Sequence, residues 1–283
     1  MLDLTLMQSL VPDGNIRVFD ETASTNRDAR DWLLSDANHG DLVLATRQTG
    51  GRGRLGRSFA SPEGGLYMSL ILKTSAAPGE VTTLCAVAVR RAILQLTGIE
   101  TDIKWVNDLL LDGKKVCGIL CENVFSGSQS QGMIAGIGIN IYGDHLPDEL
   151  RPIARSLYPT STSSPISLEH LSALIRREIL SGLDCIPAHM AAYRRHCITL
   201  GQNVYWTENN QMRTGKLFGN RAERRRRVKK RITFHEVKAR RRPFYRRQAT
   251  HPKICHRAVF ALLFGGKKWQ KEFYTIGKVL AMT

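Results

Sequence analysis

The sequence contains no long hydrophobic run. Nowhere do about 18 uncharged apolar residues follow one another, which is the length that a membrane-spanning helix needs. Residues 1–15 hold no basic region followed by an apolar stretch, so they do not resemble a secretion signal. We therefore predict a protein that is neither secreted nor inserted in a membrane, and we expect it in the cytoplasm.

Cysteine is sparse and irregularly spaced. Six cysteines are scattered over 283 residues, with neither the density nor the spacing of a disulfide scaffold or a zinc site. Cys117 and Cys121 are four positions apart, but on a predicted strand their sulfurs would lie about 13 Å from each other. We therefore predict reduced thiols and no metal site in the protein.

Positive charge is confined to one end of the chain. The net charge is +16, yet residues 220–283 hold 20 of the 41 Lys and Arg and only 3 of the 25 Asp and Glu. That segment therefore carries +17, and residues 1–219 carry −1. An evenly basic protein would suggest a nucleic-acid partner, but here the body of the chain is nearly neutral.

Hydrophobic patterning predicts a series of strands and helices over the first 183 residues. Apolar runs predict strands at 16–19, 42–46, 66–72, 103–106, 109–111, 115–124 and 133–141. Helical spacing predicts a helix from Thr25, where Thr25 to Asp28 resembles a capping box, another over 81–96 with Gly98 as C-cap, and one over 167–183. Asp112-Gly113 predicts a tight hairpin. This order predicts an α+β domain built on a mixed sheet.

The pattern changes after residue 196. Strand candidates at 204–206 and 214–218, around the turn Asn209-Asn210, predict the opening hairpin of a small β-barrel, but arginine clusters interrupt the later candidates. We therefore divide the chain into a domain over 1–196, the start of a barrel over 197–219, and an aberrant basic tail over 220–283. Because the charge changes abruptly in mid-hairpin, we interpret the tail as disordered or as the product of a reading-frame change.

A glycine and arginine loop at 48–57 is the most informative segment. Its four glycines free the backbone to curl around a ligand, and its three arginines supply fixed positive charge for phosphate or carboxylate oxygens. It lacks the Gly-Lys-Ser/Thr of a Walker A loop and the helix start of a Rossmann fingerprint. The alternative for this segment alone, which we do not favour, is a disordered RNA-binding run.

A second informative segment covers 104–122. Lys115 follows the predicted hairpin on a strand, which would hold its ammonium group rigidly enough to stabilise a charged transition state. The plain alternative is a solvated edge-strand lysine that deters aggregation. For Trp105 we favour core packing over a role in the site.

Taken together, these segments resemble the biotin–protein ligase family. The matching pieces, in order, are Ser24-Thr25-Asn26 before a helix, Gly-Arg-Gly-Arg-Leu-Gly-Arg at 51–57, Lys-Trp-Val-Asn-Asp at 104–108, Lys-Val-Cys-Gly-Ile-Leu at 115–120 and Gly-Ile-Gly-Ile-Asn at 136–140. The resemblance covers about 16–145. It implies a class II synthetase-like catalytic domain followed by a small SH3-like barrel, which this chain begins but does not complete; Val106 also stands where the family often has proline.

The resemblance also implies site residues. Lys115, Arg52 and Arg54 look catalytic, with Lys115 bridging the biotin carboxylate and the α-phosphate. By this resemblance, the biotin-binding residues are Ser24, Thr25, Asn26, Gln48, Gly51, Arg52, Gly53, Arg54, Lys115, Gly118 and Gly136. Gly118 and Gly136 would let the main chain approach the bicyclic ring. By the same resemblance, the ATP-binding residues are Arg54, Arg57, Lys104, Trp105, Asn107, Asp108 and Asn140.

The implied reaction uses ATP and Mg²⁺ to activate biotin as biotinyl-5′-AMP and passes it to a lysine of the biotin carboxyl carrier protein of acetyl-CoA carboxylase or a related carboxylase. We expect no sequence-specific DNA binding, because few residues precede the first strand, and we leave monomer and homodimer open. A lipoate–protein ligase or octanoyltransferase is the alternative within this fold. A nucleic-acid-binding protein that uses the basic tail is the alternative outside it.

Overall fold

The structure is a computed structural model that describes residues 2–143, 145–160, 166–208 and 211–217, and the chain divides into two units after Ile198. The helices described in the first unit are α1 (Leu4–Leu10), α2 (Thr25–Ser35), α3 (Pro78–Thr97), α4 (Leu168–Leu183) and α5 (Ile186–His196). Its strands are β1 (Ile16–Thr22), β2 (Leu42–Gln48), β3 (Gly65–Leu72), β4 (Asp102–Lys104), β5 (Asp108–Leu111), β6 (Lys114–Ser126) and β7 (Gln129–Asn140).

These seven strands form one mixed sheet in the order β1-β2-β3-β7-β6-β5-β4. β1 and β2 are parallel and every other neighbouring pair is antiparallel. β3 lies inside the sheet between β2 and β7 and is buried along its whole length, as its mostly apolar run from Leu66 to Leu72 predicts. The α+β class with a mixed sheet is therefore confirmed.

The two faces of the sheet have different coverings. Ala29, Trp32 and Leu33 of α2 pack on Ile71 and Ile134 to form one hydrophobic cluster. Side chains alternate between faces along a strand, so the odd-numbered Cys121 of β6 points away from this cluster, towards Cys85 of α3. The α2 side, beyond that cluster, also carries the cavity described below.

Most predicted elements are confirmed, with corrections at their ends. The predicted capping box was wrong by one position, because α2 begins at Thr25 and its N-cap is Ser24. The Asp28 side chain instead accepts a hydrogen bond from the Thr22 hydroxyl at 2.5 Å. The strand predicted over 103–106 ends at Lys104, and the chain turns at Trp105. α1 and α5 were not predicted.

Two turn predictions are confirmed in detail. Gly98 ends α3 in the left-handed conformation at φ 72°. Asp112 and Gly113 both have positive φ, 49° and 76°, which is the geometry of a tight primed hairpin turn. This turn fixes where β6 begins, and therefore where Lys115 stands.

The second unit begins at Thr199 and contains an antiparallel hairpin of β8 (Asn203–Glu208) and β9 (Gln211–Lys216). The hairpin agrees with the predicted strands at 204–206 and 214–218. The turn Asn209-Asn210 and the basic tail over 220–283 lie outside the described residues. Within the described part of the chain, no helix is long and apolar enough to cross a membrane.

Candidate functional site

A cavity lies on the sheet face that α2 shares, and it contains about 490 Å³ of free space, counting its open mouth. Its walls come from the start of α2, the end of β2, the loop after β2, and strands β6 and β7. The residues that line it are Ser24, Thr25, Asn26, Gln48, Arg52, Gly53, Arg54, Phe59, Asn107, Lys115, Gly118, Ile119, Leu120, Gly136, Ile137 and Gly138. Eleven of these were predicted as site residues.

The polar end of the cavity is the corner between β1 and α2. Thr25 is buried at the first turn of α2, and the parallel pairing of Thr22 with Gln48 brings the end of β2 beside it. Gln48 Oε1 accepts a hydrogen bond from the Thr25 amide at 2.9 Å and lies 3.1 Å from the Thr25 hydroxyl oxygen. Gln48 Nε2 donates to Ser61 Oγ at 2.8 Å. These bonds hold the corner in one arrangement.

The glycine and arginine loop folds back on itself over the cavity. The Phe59 amide donates to the Gly51 carbonyl at 2.9 Å, and the Gly53 amide donates to the Arg57 carbonyl at 2.7 Å. A Cβ on Gly51 would collide with the Phe59 carbonyl and Ser61 Oγ, so this tight return requires glycine. The closed loop places the Arg54 guanidinium 3.4 Å from Asn107 Oδ1.

Lys115 supplies a fixed cation on the floor. Its ammonium group lies 2.8 Å from Asp108 Oδ1 and 5.2 Å from the centre of the Phe59 ring. Its backbone is held by the segment that follows β7, because its amide donates to Ile153 and its carbonyl accepts from Arg155, at 3.0 and 2.9 Å. The side chain is 31% exposed, so it remains accessible from the cavity.

Glycines on β6 and β7 leave the side of the cavity formed by these strands free of side chains. A Cβ on Gly118 or Gly138 would meet the Phe59 ring at 2.7 or 2.6 Å, and one on Gly136 would collide with the amide group of Asn26. The space above these glycines thus accommodates side chains from the opposite wall. Only residues without a side chain permit so close an approach.

Six predicted residues do not line the cavity: Gly51, Arg57, Lys104, Trp105, Asp108 and Asn140. Asp108 instead pairs with Lys115, Trp105 is 8% exposed in the core as we favoured, and Asn140 donates to the Arg155 carbonyl at 3.1 Å. Asn107 does line the cavity and donates to the Ile119 carbonyl at 2.9 Å.

Five lining residues were missed: Phe59, Ile119, Leu120, Ile137 and Gly138. Four of them lie inside predicted strands, and period-2 alternation from Gly118 and Gly136 places Leu120 and Gly138 on the same face. Phe59 had a weaker signal, as an aromatic residue two positions beyond the arginine loop.

Three thiols, those of Cys85 in α3 and of Cys117 and Cys121 in β6, lie close to one another. The hydrogen bond from Cys85 lowers the pKa of Cys121, whereas that same bond and burial raise the pKa of Cys85, and burial raises that of Cys117. No group of three or more His, Cys, Asp or Glu side chains is arranged to hold a metal ion in the part of the chain that the structure describes.

The cavity combines a neutral hydrogen-bonding corner with a cationic end made of Arg52, Arg54 and Lys115. Such a site is suited to a small ligand that carries both an amide-like group and an anionic group.

Residues 18–140 match the family model described as the Biotin/lipoate A/B protein ligase family.

Relatives support the same family. The chain is 30% identical over 196 residues to the biotin–[acetyl-CoA-carboxylase] ligase of Mycobacterium tuberculosis, covering 65% of this chain and 71% of that protein. It is 44% identical over 148 residues to the bifunctional ligase/repressor BirA of Bacillus spizizenii, covering 50% of this chain and 46% of that protein. The chain thus spans about half the length of the latter relative.

A solved structure is also similar. The biotin protein ligase of Aquifex aeolicus, in complex with biotin and ATP, shares 28% identity with a TM-score of 0.62, covering 71% of this chain and 86% of that one. The chain therefore belongs to the biotin/lipoate protein ligase family, among the biotin–protein ligases.

Proposed function

We propose that the protein activates biotin with ATP and transfers it to a lysine of a biotin carboxyl carrier protein, that of acetyl-CoA carboxylase or a related carboxylase. One observation carries the proposal: Thr25, Gln48, Arg54 and Lys115 surround a single cavity, so the groups suited to a urea ring and those suited to a phosphate line one ligand-sized space. Acetyl-CoA carboxylase is the target named for the Mycobacterium tuberculosis relative.

The neutral corner is suited to the ureido ring of biotin. Ser24, Thr25 and Gln48 supply hydroxyl and amide groups, and a polar ring that leaves water needs such partners to replace its lost hydrogen bonds. Asn26 and the backbone of Gly53 complete the polar wall. Gly118 and Gly136 leave a floor without side chains for the bicyclic ring, provided that the Phe59 ring shifts aside.

The cationic end is suited to adenylation. The biotin carboxylate attacks the α-phosphorus of ATP, and the bond from that phosphorus to the oxygen bridging the β-phosphate breaks. Pyrophosphate leaves, and the mixed anhydride of biotin and AMP stays in the cavity. Negative charge accumulates at the α-phosphate oxygens, and Lys115 with Arg52 and Arg54 would stabilise that charge more in the transition state than in the ground state. The Asp108 carboxylate at 2.8 Å keeps the Lys115 ammonium group in place before ATP arrives.

Mg²⁺ accompanies ATP as its counter-ion. Because no cluster of potential ligands occurs among the described residues, we expect the ion on the polyphosphate rather than in a protein cage, which is the usual arrangement for magnesium nucleotides. Asn107 lines the cavity and extends the nucleotide side. Arg57, Lys104, Trp105 and Asn140 lie outside the cavity wall, so their assignment to ATP rests on the family resemblance alone.

Transfer to the carrier completes the reaction. The target lysine's amine attacks the activated carbonyl, the bond to AMP breaks, and an amide forms with loss of one proton. Water would hydrolyse the same anhydride, so the loop over the cavity must keep it out until the carrier docks. We propose no sequence-specific DNA binding, and a homodimer stays an open prediction.

Adenylation can be tested without a carrier. The purified chain is incubated with Mg-ATP, with and without biotin, and pyrophosphate release is measured while the protein-bound product is identified by mass spectrometry. We expect release only with biotin, together with biotinyl-5′-AMP. Release with lipoate or octanoate but not with biotin would instead assign the cavity to the alternative ligase class.

A further inference from the structure

Ser69 is a fully buried hydroxyl group in the middle of β3, directly behind the polar corner. It is 0% exposed, and its Oγ lies 2.8 Å from Thr25 Oγ1 and 2.7 Å from Asn26 Oδ1. It does not line the cavity. Ser69 therefore connects two ligand-facing side chains from beneath, in a place where a polar atom must have a partner.

Glu122 sets the direction of this hydrogen-bond chain at one end. A carboxylate can only accept a hydrogen bond, and Glu122 Oε2 lies 2.9 Å from the amide nitrogen of Asn26. Asn26 therefore presents its nitrogen to Glu122 and its Oδ1 to Ser69. Since Oδ1 carries no proton, the single hydroxyl proton of Ser69 must point to Asn26.

Ser61 sets the direction at the other end. Its hydroxyl donates to the Phe59 carbonyl at 3.1 Å, so it must accept from the amide nitrogen of Gln48 at 2.8 Å. Gln48 therefore turns Oε1 towards Thr25. That oxygen already accepts the Thr25 backbone amide at 2.9 Å, so it does not depend on the Thr25 hydroxyl for a partner.

The Thr25 hydroxyl has one proton and two oxygen neighbours, Ser69 Oγ at 2.8 Å and Gln48 Oε1 at 3.1 Å. Ser69 donates its hydroxyl hydrogen bond to Asn26, so the 2.8 Å contact between Ser69 and Thr25 needs the Thr25 proton, whereas Gln48 Oε1 is already satisfied by the Thr25 amide. The Thr25 proton therefore points to Ser69, which is also nearer than Gln48 Oε1 at 3.1 Å. Thr25 Oγ1 then has free lone pairs towards the cavity that it lines.

We propose that Ser69 is a positioning residue that fixes the Thr25 hydroxyl as a hydrogen-bond acceptor towards the ligand. The group it selects is an N–H donor, such as a nitrogen of a cyclic urea. The Glu122–Asn26 pair acts through Ser69 by fixing which way Ser69 donates. This inference rests on the proposed function, because biotin supplies such an N–H group.

The test compares Ser69→Ala with Ser69→Cys in the full chain. Alanine removes the hydroxyl group, whereas cysteine fills the same position with only a weak donor and acceptor. Biotin affinity is measured by isothermal titration calorimetry without ATP, and KM values for biotin and ATP are measured by pyrophosphate release. Both variants should weaken biotin binding about 5- to 30-fold, the effect of losing one oriented hydrogen bond, and leave the KM for ATP nearly unchanged.

A third variant tests the direction of the chain. Glu122→Gln keeps the shape but can donate as well as accept, so Asn26 loses its enforced orientation. We expect a smaller loss of biotin affinity than for Ser69→Ala, again without a change in the KM for ATP. An unchanged affinity in Glu122→Gln would overturn the part assigned to Glu122.

The possible failures can be told apart. Normal biotin affinity in Ser69→Cys, with a loss in Ser69→Ala, would mean that Ser69 acts through its volume and would overturn the proposal. Equal losses for biotin and ATP would indicate general damage to packing and would overturn it as well. If the unmodified chain does not bind biotin, the proposed function fails, whereas binding that neither Ser69 variant alters defeats only the role of Ser69.

Discussion

At the scale of single residues, Lys115 is held from three directions. Asp108 contacts its ammonium group at 2.8 Å, the Phe59 ring lies beneath it, and the segment around Ile153 and Arg155 holds its backbone. A cation that is already in place loses little freedom when a phosphate arrives. The alternative of a freely solvated edge lysine does not fit this position, because β6 pairs with a strand on each side.

Lys115→Ala should lower the rate of biotin-dependent pyrophosphate release about 100- to 1,000-fold, the range for removal of one preorganised transition-state contact. Biotin affinity should change little, because Ser24, Thr25 and Gln48, the groups suited to the ureido ring, remain in place. Stopped-flow release assays and calorimetry measure the two effects. Lys114→Ala is the matched control, since its exposed side chain donates to the Arg151 carbonyl instead. Normal pyrophosphate release by Lys115→Ala would remove Lys115 from the mechanism.

Sequence alone identified the chemistry-bearing residues better than their neighbours. Thr25, Gln48, Arg54 and Lys115 were found because their motifs fall in order along the chain, and all of them line the cavity. Ser69 was not found, because a serine within an apolar strand carries no signal until its three-dimensional neighbours are known. The local order of residues also could not separate Lys104, which ends β4, from Asn107, which reaches the cavity.

At the scale of elements, the arginine loop is a small hairpin with a strained tip. Leu55 has φ 59° and is 64% exposed, and Gly56 follows it at φ 71°. A left-handed conformation is costly for leucine but not for glycine. The closed loop is therefore held by its backbone bonds and by the contact between Arg54 and Asn107.

Arg54→Gly should release biotinyl-adenylate into solution, because it removes a cation and a contact that hold the loop over the product. The mutant should then biotinylate lysines of a bystander protein, which streptavidin blotting of an albumin-containing reaction would detect. Leu55→Gly is the control, since it also places a glycine in the loop but keeps Arg54 and suits the left-handed φ at that position. Labelling restricted to the carrier in Arg54→Gly would show that the arginine has no retention role.

Elements with long apolar patterns could be predicted, and short or weakly patterned ones could not. The core strands and α3 follow from continuous apolar runs and helical spacing. α1 has seven residues, of which only Met7 is buried, and α5 buries only Met190 and Tyr193. Such helices are stabilised by tertiary contacts, including the hydrogen bond from the Tyr193 hydroxyl to the Val106 carbonyl at 3.1 Å, rather than by local sequence.

At the scale of the whole molecule, the structural division falls close to the predicted end of the catalytic domain. The first unit ends at Ile198, whose amide donates to the Ile103 carbonyl of β4 at 3.0 Å. A chain cut after Ile198 therefore keeps every strand of the seven-stranded sheet together with that edge contact. All the residues that line the cavity also lie before this point.

The chain cut after Ile198 should retain biotin-dependent adenylation, measured as pyrophosphate release, and carrier transfer should weaken. A second chain cut after His196 should keep the same activity with a free energy of unfolding lower by about 1 kcal/mol, because it loses the bond to Ile103. Urea denaturation measures that difference. Loss of adenylation in both shortened chains would place part of the adenylation machinery after Ile198.

The interpretation of 220–283 as the product of a sequence break makes a prediction about the gene. Resequencing should find a second frame in which the codons after Gly219 encode alternating strand-like residues, in place of 20 basic and 3 acidic residues. An intact frame, together with slow amide hydrogen exchange in this segment, would contradict the interpretation and revive a nucleic-acid role for the tail.

The most direct test of the central claim is an intact-mass measurement of a carrier domain. The purified chain is incubated with biotin, Mg-ATP and a biotin carboxyl carrier domain, beside a carrier whose target lysine is replaced by arginine and a reaction without ATP. We expect a gain of one biotinyl group on the unmodified carrier in the complete reaction, and none in either control. An unchanged carrier mass in the complete reaction, under conditions where an authentic biotin–protein ligase modifies the same carrier, would contradict it.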